Sequence, residues 1–142
     1  MPSSIQIPYT GIQNSAGEIT PRPVLTVAIG YQNKSVPIAG LIDSGADISV
    51  LPYGVGIALG LNWDEQPYRL KLSGNMARFE TRIVFLSVTV SEFVPVDLIF
   101  AWTQAEQAPL IFGQANFFQA FNVCFFRAAS YFTLTASEAA TE

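Results

Sequence analysis

The stretch IAGLIDSGADISVLP, Ile38 to Pro52, sets Asp43, Ser44, Gly45 and Asp47 between two apolar runs, in a chain where charged residues make up only 13%. Asp43 directly follows the run AGLI, so its carboxylate sits at the end of an apolar strand, partly out of water. An isolated charge there is costly unless donors surround it or a second carboxylate shares a proton with it. Ser44 can donate and accept, and Gly45 permits a tight turn and close approach of the backbone. Asp47 is near enough to accept backbone N–H bonds or to hold a neighbouring partner. A bare D-S-G tripeptide reads first as a β-turn with turn work only. The apolar flanks, followed by Pro52 and a short helix, make this one a candidate site.

Composition narrows the chemistry. At 142 residues the chain fits one domain with a real core. Its net charge is -4, and no Lys/Arg cluster appears, so no nucleic-acid partner is expected. Histidine is absent, which removes His-based triads and His-containing metal sites together. Asp43 with Asp47 lacks the regular oxygen spacing of a calcium loop, so neither a metal nor a cofactor is expected. The single cysteine, Cys124 in FNVCFF, makes no intrachain disulfide and reads as a buried small hydrophobe. The opening MPSSIQIPYTG has neither the basic region nor the apolar core of a signal peptide. Ser91, Glu92, Asp97 and Gln114 interrupt the most apolar regions before membrane-spanning length. The expectation is a cytoplasmic chain without membrane insertion. Half of the residues are hydrophobic, with eleven Phe and a mean hydropathy of +0.34, a surplus that points to self-association.

Periodicity predicts an all-β chain with one or two short helices. VLTVAIGY alternates, QNK turns and SVPIAGLI returns; the sequon at Asn33 reads as that turn. ISVLP is a short strand, and Tyr53 to about Leu59 a short helix stopped by Gly60. YRLKLSGNMARFETRIVFLSVTV gives a hairpin with Gly74 and Asn75 near its tip. VPVDLIFAW, LIFG, NVCFF and YFTLTA are further strands, with a short helix in QANFFQAF. Residues 1–22 show no sustained period and read as an N-terminal arm, 23–135 as the folded domain, and 136–142 as a flexible acidic tail. Arg69, Lys71, Arg78 and Arg82 read as a solvated strand face, and Trp63 and Trp102 as core or rim packing. An apolar strand running into glycine and polar residues occurs twice, at LIDSGADI and LIFGQANF, too faintly to count as a repeat.

Without histidine, paired carboxylates are the obvious way to activate water: one keeps a proton as acid while the other serves as base. The chain offers one acid in such a setting. Asp97 in VPVDLIF sits mid-strand, pointing to the open face. A two-fold dimer supplies the missing partner by placing Asp43 against its own copy.

LIDSGADISVLP, followed by ALGL and later by LIFGQANFF, resembles the retropepsin-like aspartic proteases, over roughly Arg22 to Thr135. The resemblance implies a closed, mostly antiparallel single-domain β fold, active as a homodimer on extended peptide or protein substrates. It implies Asp43 as the catalytic aspartate, one from each subunit, with Ser44 bracing the two loops and Gly45 letting the backbone approach. Ala46 and Asp47 then contact the substrate main chain, and Gly74, Asn75 and Met76 form a flap tip over it. Leu110, Ile111, Phe112 and Gly113 are the apolar-apolar-glycine element behind the catalytic loop, with a helix beginning at Gln114. Three departures stand out. Ser44 replaces the commoner Thr, Gln114 replaces an Arg that pairs with the acid at position 47, and the flap has a single glycine. The implied activity is an aspartic endopeptidase; the alternative is a catalytically inactive protease-like binding or assembly module.

Overall fold

A computed structural model describes residues 4–71, 80–105 and 107–137. Its centre is the hairpin of β4 (Val24–Tyr31) and β5 (Lys34–Ile42), joined by Gln32 and Asn33 with Gln32 at φ 54°. In β4 the alternation of VLTVAIGY buries Leu25, Val27 and Ile29 and turns Thr26 outward. β6 (Ser49–Pro52) follows the polar stretch and leads into α1 (Tyr53–Ala58), beyond which Gly60 adopts φ 86°. A left-handed residue at that point ends a helix at low cost when it is glycine.

Numbered in chain order, the remaining strands are β1 (Ile5–Pro8), β2 (Thr10–Gln13), β3 (Ile19–Arg22), β7 (Arg69–Lys71), β8 (Glu80–Thr89), β9 (Val96–Thr103), β10 (Ile111–Phe112), β11 (Phe121–Phe126) and β12 (Tyr131–Ala136). A second short helix, α2 (Phe117–Ala120), separates β10 from β11. Strands pair in the order β4-β5-β10-β6-β9-β8-β7, and β4 also pairs with β8, which closes a barrel and leaves β7 outside the ring. Two of the pairings are parallel, β5 with β10 and β6 with β9. The fold is all-β and closed, with two short helices, as the periodicity and the resemblance predict.

Residues 5–22, which carry no sustained period, form three short strands. β1 pairs antiparallel with β12, which pairs in turn with β11, and β2 and β3 make a separate hairpin. Barrel and terminal sheet share one core, in which Phe117 touches both Phe112 (4.8 Å between ring centroids) and Phe121 (5.1 Å). A second aromatic group sets Tyr53 and Trp63 against the fully buried Trp102, whose indole N–H donates to the Tyr53 carbonyl (3.1 Å). Both tryptophans therefore pack, as expected.

Two expectations are corrected. Cys124 is exposed, not buried: β11 is the edge of its sheet, with Phe121 and Val123 turned inward and Asn122 and Cys124 outward. Arg82 is buried at 5% exposure rather than solvated. It shares the phase of Val84, Leu86 and Val88 on the inner face of β8, and its guanidinium lies 4.4 Å from the Trp63 ring centroid. Its Nη1 donates to Glu80 (3.2 Å), while Nε has no partner among the described residues. Arg69 is solvated; Arg78 and the Lys71 side chain lie outside the described residues.

Candidate active site

Asp43 is the first residue past the end of β5, where the barrel strand gives way to a turn. Its position is set by main-chain bonds from two sides. The Asp43 N–H donates to the Phe112 carbonyl (3.0 Å), one rung beyond the bond from Leu41 N–H to the Leu110 carbonyl (2.9 Å). Within the turn, Asp43 Oδ1 accepts from the Gly45 N–H (2.9 Å) and the Asp43 carbonyl accepts from the Ala46 N–H (3.1 Å). The carboxylate thereby fixes its own loop, a role for which Asp is well shaped. It remains partly exposed, and Oδ2 accepts no bond among the described residues. A carboxylate with one oxygen engaged and one open can hold a water or take a proton, but it needs a complementary acid to do both.

The loop is stitched to the second glycine motif. Gln114 N–H donates to the Ala46 carbonyl (2.8 Å), Ala115 N–H to the Asp47 carbonyl (2.9 Å), and Ile48 bridges Ala115 in parallel. Gly113 is a steric requirement, since a Cβ there would stand 2.7 Å from the Ile48 carbonyl and 2.8 Å from that of Ala46. Its N–H donates to Ser49 Oγ (2.9 Å), across 64 positions of sequence and wholly buried. The two similar stretches, LIDSGADI and LIFGQANF, thus lie against one another and brace each other's turns.

The expected residues fall as follows. Ser44, Gly45 and Asp47 are exposed around Asp43, and Ala46 is partly buried beneath them. Leu110, Phe112 and Gly113 are buried behind the loop, with Ile111 partly so. Gln114 Nε2 donates to the Ser44 carbonyl (2.8 Å), so its amide supports the turn rather than Asp47, which has no ion pair among the described residues. The helix expected at Gln114 starts instead at Phe117, because residues 113–115 are occupied in the ladder with the loop. Gly74, Asn75 and Met76 lie outside the described residues; the antiparallel pairing of Arg69 to Lys71 with Glu80 to Arg82 gives the base of that hairpin.

Two supports escaped the sequence reading. Ser49 stands out as a polar residue inside an apolar strand, a usable signal. Asn116 joins β9 through Ile99 N–H (2.9 Å) and the Asp97 carbonyl (3.2 Å), and nothing local announces it. Asp97 itself is exposed, as expected. A cavity of about 470 Å³ with a largely apolar lining is walled by Leu41 and Leu110, which precede the two turns, and by Ile12 and Arg22 of the β2–β3 hairpin; no residue of the loop itself lines it. No group of three or more metal-binding side chains occurs among the described residues, and no described helix is long and apolar enough to cross a membrane, which says nothing of strands.

No protein-family model and no curated protein sequence matches the chain. Solved structures do. A retropepsin-like aspartic protease from Rickettsia conorii superposes with a TM-score of 0.64 at 15% identity, covering 94% of this chain and 93% of that one. EIAV protease complexed with an inhibitor matches with a TM-score of 0.48 at 21% identity, covering 69% of this chain and 86% of that one. The first likeness shows a shared fold.

Proposed function

We propose that the protein is an aspartic endopeptidase whose site is completed in a homodimer, with residues 23–135 as the catalytic domain. The observation that carries this reading is the bracing of Asp43, its main chain tied to Phe112 and its turn to Gly113–Ala115, at the end of a strand in a retropepsin-like barrel. A turn with only connecting work does not require such support.

In the dimer the two Asp43 carboxylates face each other and share one proton, because like charges that close do not both ionise. The pair holds a water. The ionised member takes a proton from it as the water oxygen attacks the scissile carbonyl carbon, and the protonated member hydrogen-bonds the developing gem-diol. Proton transfer to the amide nitrogen then lets the C–N bond break, giving an acid and an amine with no covalent intermediate. Ser44 braces the two loops across the axis and Gly45 keeps the approach to the carboxylates open. Ala46 and Asp47 contact the main chain of an extended peptide, with Gly74, Asn75 and Met76 closing over it.

Wild type and Asp43→Asn are compared on a peptide library at acidic and neutral pH. Cleavage by wild type, abolished in Asp43→Asn, supports the proposal. A folded wild-type dimer that cleaves nothing across that range sinks it in favour of a binding or assembly module. Equal cleavage by both proteins excludes Asp43 as the catalyst.

A further inference from the structure

β1 and the start of β4 wall a second cavity, of about 510 Å³, which plays no part in the reaction described above. Every residue from Ile5 to Pro8 and from Val24 to Thr26 lines it. A strand that walls a space with its face contributes alternate residues, so consecutive ones mean that each strand presents its edge. β1 is the edge of the terminal sheet. β4 pairs with β8 only from Ala28 to Gly30; β8 ends at Thr89, and Val90 and Ser91 beyond it line the same slot.

Hydrogen-bond phase decides what the two edges offer. The Pro23 carbonyl accepts the Ile42 N–H (2.9 Å), so Pro23, Leu25 and Val27 face β5, while Val24 and Thr26 turn their N–H and C=O groups away from it. Ala28 and Gly30 share that phase and meet β8, whereas Val24 and Thr26 meet the cavity. On the other wall, the Tyr9 N–H donates to the Ser130 carbonyl (2.8 Å). Ile5 and Ile7 therefore face β12, and Gln6 and Pro8 turn to the slot. The groups that border it are thus the N–H and C=O of Gln6, Val24 and Thr26 and the Pro8 carbonyl. None has a main-chain partner among the described residues.

We propose that this slot docks an extended segment of a partner protein, inserted as a strand between β1 and β4 and joining the terminal sheet to the barrel. Such docking is independent of the endopeptidase reading. Both edges set donors and acceptors at two-residue spacing, the pattern that a peptide main chain complements. No lining residue is ionisable, so the slot matches a neutral main chain in charge and not a nucleotide or a metal ion. Ile5, Ile7 and Leu25 turn from the two walls toward the core, and Val90 is buried beside them. An inserted strand sets alternate side chains over these residues and the others toward solvent. The segment therefore alternates apolar with uncharged polar residues.

The probe is a heptapeptide of alternating valine and threonine, capped at both ends. Its counterpart has every second amide N-methylated, which keeps the side chains and removes the donors toward one edge. Each is added to the full chain carrying Asp43→Asn, so that no probe is cleaved, and amide hydrogen exchange is followed by NMR. In the free chain the amides of Gln6, Val24 and Thr26 should exchange about tenfold or more faster than those of Leu25 and Val27. The plain probe should slow them by about tenfold or more, and the N-methylated one should leave them unchanged. Gln6→Pro removes one donor at the slot and none from the ladder to β12, and should weaken the plain probe about fivefold. The exchange readout needs no variant of the slot, so it decides the matter even if Gln6→Pro fails to fold. Equal protection by both peptides, or none at saturating probe, overturns the docking site. So does protection in the free chain: if truncation after Ser137 abolishes it, the slot holds the chain's own tail, and if it grows with protein concentration, a second copy.

Discussion

Ser49→Ala probes the bracing of the candidate loop at its most buried point. Ser49 Oγ accepts the Gly113 N–H at 2.9 Å, and Ser49 is fully buried. Alanine removes the acceptor and leaves a buried N–H without its bond. An unsatisfied buried donor costs about 1–3 kcal/mol. The entropy of unfolding, about 2.1 cal/mol/K per residue, comes to about 0.3 kcal/mol/K for 142 residues, so the midpoint should fall by about 3–10 °C. Thermal unfolding followed by circular dichroism reads this directly, with Ser35→Ala, at an exposed position of β5, as the control within about 0.5 kcal/mol of wild type. A Ser49→Ala midpoint indistinguishable from that of Ser35→Ala would refute the claim that this bond braces the two turns.

Arg82→Met should cost about 1–2 kcal/mol less than Arg82→Ala in urea unfolding, because methionine keeps contact with Trp63 while relieving a buried charge whose Nε has no partner among the described residues. If alanine is tolerated as well as methionine, packing on Trp63 contributes nothing. Cys124 should react with an aromatic disulfide reagent in the native protein at one equivalent per chain, as its exposure on the edge strand requires. A thiol that reacts only after unfolding returns it to the core.

The longer barrel strands β4, β5 and β8 were legible because each alternates over eight or more residues, as in VLTVAIGY. α1 could be bounded because Gly60 is the residue a left-handed helix end favours. Phase was harder. Along β8, Arg82 alternates with Ile83 and so suggests a solvent face, whereas Val84, Leu86 and Val88 set the true inner phase and carry Arg82 with them. Phe85, 62% exposed, lies on the opposite face for the same reason. FNVCFF is apolar throughout, so it holds no phase, and the exposure of Cys124 follows only from the edge position of β11. β1 pairs residues 5–8 with 131–134, a contact between chain ends that no local pattern reports. At the candidate site the residues of the turn were readable from Asp43 to Asp47. Their supports were not, since Ser49 acts on a partner fixed by the antiparallel pairing of β10 with β6, and Asn116 on partners in β9, rather than on sequence neighbours.

The central claim is that Asp43 works as one of a pair, and mixing subunits tests it. Wild type and Asp43→Asn are combined at fixed total concentration, allowed to exchange, and assayed on a peptide that wild type cleaves. If each site needs both carboxylates, only wild-type pairs are active, so an equal mixture retains about one quarter of the activity of wild type at the same total concentration, and activity follows the square of the wild-type fraction. Activity directly proportional to that fraction, in subunits shown to exchange, would contradict the account.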